Sequence, residues 1–168
     1  MSNLLDTIND VFVLSTSGIP YYATCFAGPI CKMKPDHLLQ SGFIVAMFSF
    51  AKEFGQKSII HVEFEEGLMV FALRKVENAE ILIVFFTTNE PSLKEIKELV
   101  NKASDKFVDT YREKITGARA INTAEFQDFS EILRNIDLIN RKPMGDISGL
   151  ISKFKKKHKS FIGRLFSS

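Results

Sequence analysis

Residues 81–86, Ile-Leu-Ile-Val-Phe-Phe, are apolar at odd and even positions alike, and Leu68 to Leu73 are nearly so. Successive side chains of a strand point to opposite faces, so both faces of such strands must be shielded from water. A chain that contains them has to place helices on both sides of one sheet. Everything else in the sequence can be read outward from that requirement.

Turn chemistry brackets these strands. Glu65-Glu66-Gly67 and Val76-Glu77-Asn78 separate three β-prone runs, Ser58 to Phe64, Leu68 to Arg74 and Glu80 to Thr87. Upstream, Val11 to Ser15 and Tyr21 to Phe26 flank Thr16-Ser17-Gly18-Ile19-Pro20 and read as a hairpin. Asp36 is a suitable N-cap for a first helix from His37 to Phe54, which Gly55 ends. Ser92 and Glu95 form a capping-box pattern at the head of a second helix. Its stripe runs through Leu93, Ile96, Leu99, Val100, Ala103, Phe107, Val108, Tyr111 and Ile115. After Gly117 a third helix is expected from about Thr123 to Ile139. The resulting α/β (α+β) architecture is a five-stranded antiparallel sheet, with the first helix on one face and the other two opposite. At 168 residues the chain accommodates one such domain, residues 1–140, with an appendage at 141–168.

The appendage differs in charge. Residues 1–140 carry fourteen Lys/Arg against nineteen Asp/Glu, net −5, whereas residues 141–168 carry eight against one, net +7. After a linker containing Pro143, a helical wheel gathers Ile147, Leu150, Ile151, Phe154, Phe161, Ile162 and Leu165 into one arc. Lys153, Lys156, Lys157, Lys159 and Arg164 lie outside it. This is the pattern of a basic amphipathic helix that meets an anionic membrane, and the alternative is that its apolar arc docks on the body. No basic n-region with a following apolar run is present at residues 1–10, and the longest near-continuous apolar run, Phe43 to Ala51, is far short of the ~20 residues of a membrane span. A cytoplasmic protein that can sit peripherally on a membrane is expected.

The first helix suggests how the domain works. Leu39, Phe43, Ala46, Met47, Phe50 and Phe54 cluster on one side, which is assigned to the sheet. The opposite side bears His37, Gln40, Ser41 and Lys52, with Ile44 and Phe48 among them as an interface. The neighbouring run sends Ile59, His61 and Glu63 to one face and could offer a sheet edge to a partner.

The order β-β-α-β-β-β-α followed by a helix resembles the longin domain over residues 10–115. Phe12-Val13-Leu14-Ser15-Thr16-Ser17-Gly18-Ile19-Pro20-Tyr21-Tyr22, Ala46 to Phe50 and Gly67 to Arg74 are similar to segments of the tri-longin Rab-activating proteins of Mon and Ccz type. Those proteins carry three longin units, and this chain carries one. The resemblance implies a binding role: pairing as a homo- or hetero-dimer through the first helix and adjacent edge, with a small GTPase or another longin or roadblock protein as partner. It brings no catalytic residues.

Enzyme chemistry finds little support. Neither G-x-x-x-x-G-K-[ST] nor G-x-G-x-x-G occurs, so no nucleotide cofactor is expected. His37, His61 and His158 stand too far apart in sequence for a metal motif. Glu63, Glu65 and Glu66 read as a solvated turn. Cys25 and Cys31 match no redox or zinc motif; two thiols in a reducing compartment are the simplest expectation, and a bridge between them is the alternative. The Lys153–Lys159 run would neutralise phosphates without reading bases, so no specific nucleic acid is expected. A profilin-like cytoskeletal binder is the competing function, disfavoured because the aromatic residues fall on inward stripes.

Overall fold

A computed structural model describes residues 4–28, 31, 36–55, 58–117 and 120–135, and the structural statements below concern those residues. The elements are β1 (Ile8–Ser15), β2 (Pro20–Cys25), α1 (His37–Gly55), β3 (His61–Phe64), β4 (Gly67–Val76), β5 (Ala79–Thr87), α2 (Leu93–Thr116) and α3 (Phe129–Asn135). The strands form one antiparallel sheet in the order β2-β1-β5-β4-β3. The two-sided apolar strands are accordingly internal, with β5 in the centre between β1 and β4.

The pleat divides the core as the sequence requires. Val11, Val13, Val70, Ala72, Ile81, Ile83 and Phe85 face α2 and α3 in the larger cluster, whereas Phe12, Leu14, Met69, Phe71, Leu82 and Val84 face α1. One helix covers one face, and two cover the other. The close pairing at the β4 entrance requires glycine, because a Cβ on Gly67 would stand 2.4 Å from the Thr87 carbonyl oxygen.

α2 begins as its sequence demands: the Ser92 hydroxyl accepts from the Glu95 amide at 3.3 Å, and the Ser92 amide donates to the Glu95 carboxylate at 3.0 Å. Farther along, Arg74 of β4 ties the helix to the sheet through Asp105 at 2.8 Å and the Asn101 side chain at 2.9 Å.

The third helix differs from expectation. A 3-10 turn, Thr123–Phe126, precedes a short α3, and the expected continuation to Ile139 lies outside the described residues. The interruption lets both Phe126 and Phe129 enter an aromatic cluster with Tyr21, Tyr22, Phe107 and Tyr111. Hydroxyls at its rim fix the arrangement: Tyr111 donates to Asp128 at 2.5 Å, and Tyr22 is hydrogen-bonded to Ser130 at 2.5 Å. Burial raises the pKa of Tyr21, Tyr22 and Tyr111 above the ordinary phenol value, and for Tyr111 the Asp128 carboxylate adds to the shift.

Two further expectations are corrected. β3 is a four-residue strand rather than a run from Ser58, so the alternation that placed Ile59 beside His61 does not hold. Cys25 and Cys31 are joined in a disulfide with Cα atoms 5.8 Å apart, which contradicts the expectation of two thiols. Six residues of separation suffice because Cys25 ends β2 and the chain turns at once, with Gly28 at φ +65°.

Candidate interaction surface

α1 carries no charged side chain from Leu38 to Ala51, and its apolar residues surround the axis. Only one side can face the sheet, so which side does so decides what remains in water. The structure turns Ser41, Ile44 and Phe48 inward, with Ile44 0% and Phe48 2% exposed, and stacks the Phe48 ring against Phe71. The expected interface of Gln40, Ser41, Ile44, Phe48 and Lys52 therefore faces the wrong way at its centre. Ile44 and Phe48 are core, the Ser41 hydroxyl donates to the His37 carbonyl at 2.6 Å, and Gln40 is half-buried. Lys52 alone is exposed, at the flank, 3.9 Å from Glu80.

The side expected to meet the sheet is the outer one. Leu38, Leu39, Phe43, Phe50 and Phe54 are exposed, Phe54 to 77%, and the Phe50 and Phe54 rings meet at 4.5 Å between centroids. The physical reason for the reversal lies in fit. Ile44 and Phe48 fill the space above Phe12, Phe71, Leu82 and Val84, with Val45 and Met47 at its margins.

β3 is the edge strand beside β4. It pairs only with β4 among the described strands, leaving its outer edge open. Val62 and Ile59 pack against the α1-side cluster, and Ile60 and Phe64 are exposed. By register His61 and Glu63 lie opposite Val70 and Leu68 and so belong to the α2 side, 3.9 Å apart. Of the expected pair, then, Ile59 and His61 occupy different faces. The outer side of α1 and the β3 edge each leave large apolar side chains exposed, and the carboxylates of Glu53 on α1 and of Glu65 and Glu66 in the turn after β3 are exposed as well.

The residues missed by sequence reasoning as candidates are thus Leu38, Leu39, Phe43, Phe50, Phe54, Ile60 and Phe64. Their signal was present in the excess of large apolar residues on a helix that can bury only one side. The membrane-binding candidates Lys153, Phe154, Lys156, Lys157, Lys159, Phe161, Ile162, Arg164 and Leu165 lie outside the described residues. Among the described residues no group of three or more His, Cys, Asp or Glu could hold a metal ion, and no helix is long and apolar enough to cross a membrane.

No family model matches the sequence, and no curated protein matches it. Solved structures similar in fold include Myxococcus xanthus MglB, at 19% identity and TM-score 0.43, covering 63% of this chain and 85% of that one. Another is a chain from the structure of the mammalian SRP receptor, at 17% identity and TM-score 0.39, covering 78% of this chain and 95% of that one. With identities and TM-scores this low, neither likeness assigns an activity to this chain.

Proposed function

We propose that this chain is a non-catalytic interaction module of longin type, which pairs with a second copy or with a longin or roadblock relative through the outer side of α1 and the β3 edge. The observation that carries this reading is the row of exposed Leu38, Leu39, Phe43, Phe50 and Phe54 on one helix. Burying a side chain of this size is worth ~1.5–3 kcal/mol, so five together supply a strong drive to association. The open β3 edge adds backbone donors and acceptors that fix orientation. A small GTPase as the client of the resulting pair, in membrane traffic, follows from the longin resemblance.

Phe43→Lys and Phe50→Lys test the surface. Each is expected to convert a pair to a monomer in light scattering, or to abolish partner capture, while circular dichroism stays unchanged. Unaltered association in both variants would remove this surface from the function.

The basic segment beyond residue 140 supplies reversible contact with an anionic membrane in the same reading, since each Lys or Arg near such a surface contributes ~1 kcal/mol. Full-length protein is then expected to float with phosphatidylserine vesicles at low salt. A chain ending at Asn140 should stay in solution, and equal behaviour of the two would exclude a membrane role for the segment.

A further inference from the structure

We infer that in the unpaired chain the outer side of α1 is covered by the chain's own C-terminal segment, Ile147 to Leu165, so that pairing requires its displacement. The inference rests on reading this side of α1 as an interface and adds its regulation.

The occupant follows from four observations. First, the arc of Ile147, Leu150, Ile151, Phe154, Phe161, Ile162 and Leu165 matches α1 in length. Both Ile147–Leu165 and His37–Gly55 span nineteen residues.

Second, the route is short. The described chain ends at Asn135 in α3, whose Ser130 is bonded to Tyr22 of edge strand β2, and α1 packs against the same strand from the other layer. A segment leaving α3 need only round one sheet edge, crossing three layer spacings, or ~30 Å, to lie on the outer side of α1. The eleven residues 136–146 reach up to ~36–40 Å when extended.

Third, the charges are opposite. The body is net −5 and the segment net +7, and the exposed Glu53 lies on α1 itself, next to Phe54 in sequence. With the apolar arc against α1, Lys153, Lys156, Lys157 and Lys159 fall outside the arc and keep their charge free to meet the acidic body. Fourth, tethering raises the segment's effective concentration at the surface to the millimolar range, ahead of a partner in dilute solution.

Photocross-linking in the full-length chain tests the inference. A photoreactive phenylalanine analogue is placed at position 50, with a second protein carrying it at position 110, on the exposed side of α2, as reference. Equal amounts of unlabelled and nitrogen-15 protein are mixed before irradiation. The expected result is that cross-links from position 50 map to residues 147–165, exceed those from position 110 several-fold, and join peptides of one isotope. Mixed-isotope peptides, sites elsewhere, or a yield no higher than the reference would overturn it. The double substitution Leu150→Asp with Phe154→Asp should abolish the same-chain cross-links, and their persistence would also overturn it. Same-chain cross-links in the parent protein that the double substitution abolishes, with no pairing appearing in the substituted protein, would leave the cover standing and refute the interface. Pairing with mixed-isotope cross-links would do the reverse.

Discussion

Two phenylalanines on α1, five residues apart, have opposite roles that a helical wheel cannot distinguish. Phe48 is stacked on Phe71 inside the domain, whereas Phe43 stands in water. Phe48→Ala should lower the free energy of unfolding by about 3–5 kcal/mol, a large part of the stability of a domain this size. In the unpaired chain ending at Asn140, Phe43→Ala should change it by no more than about 0.5 kcal/mol, and urea unfolding of both variants in that chain would compare them directly. The sequence reading placed Leu39, Phe43, Phe50 and Phe54 on one side and Ile44 and Phe48 on the other and had the two reversed, while Met47 does lie at the margin of the core and Lys52 is exposed as expected. Both sides are apolar, and the deciding fact, the shape of the space left by Phe12, Phe71 and Val84, exists only once the sheet has formed. The tyrosines offer a second test at this scale. Burial shifts the three tyrosines of the chain upward, so each favours the neutral form when folded. A group whose folded value is raised contributes stability below its unfolded value, near pH ~10, and loses it as pH rises toward the folded value. Phenolate absorbance is therefore expected to rise together with unfolding in alkali, and an ordinary titration near pH ~10 in the folded protein would refute that.

Among the elements, α2 was the most legible because its start is encoded locally. Ser92 and Glu95 satisfy each other's neighbourhood in sequence, and they do so in space. Ser92→Ala should cost ~1 kcal/mol, seen as a lower unfolding midpoint. The Ser92 hydroxyl and amide hold the Glu95 carboxyl below the ordinary glutamate value. Its contribution is then present above the unfolded value, near pH ~4.3, and is lost as pH falls through the folded value. Glu95→Gln should flatten the acid side of the stability profile, and an unchanged acid slope would show that the cap does not report on pH. The break between the 3-10 turn and α3 was illegible for the opposite reason. Phe126, Phe129 and Leu133 fit a continuous helical stripe, but their partners Tyr21, Tyr22 and Tyr111 come from two distant segments. The disulfide was illegible for the same reason, since the six-residue spacing of Cys25 and Cys31 matches no motif and their approach to 5.8 Å between Cα atoms is a property of the folded chain.

For the molecule as a whole, the two-sided apolar strands were enough to determine the layers, since no arrangement with an exposed sheet face could shelter β4 and β5. What they could not determine was which side of α1 stays exposed once the sheet is covered. The strand order has a separate consequence for how the chain reaches its native state. β1 is first in sequence but lies inside the sheet, with Val11 opposite Phe85 and Val13 opposite Ile83. Its inner neighbour is made last of the strands, and such long-range pairing slows folding because a large loop must close before contacts reward it. A ribosome-bound chain ending at Asn78 should be digested throughout by protease, while the full-length chain is protected in β1. Early protection of β1 would show that the hairpin is stable alone. During synthesis, the apolar flanks of β1 and β2 and the entire circumference of α1 thus stand open until β5 has emerged, which makes the nascent chain a natural client for chaperones.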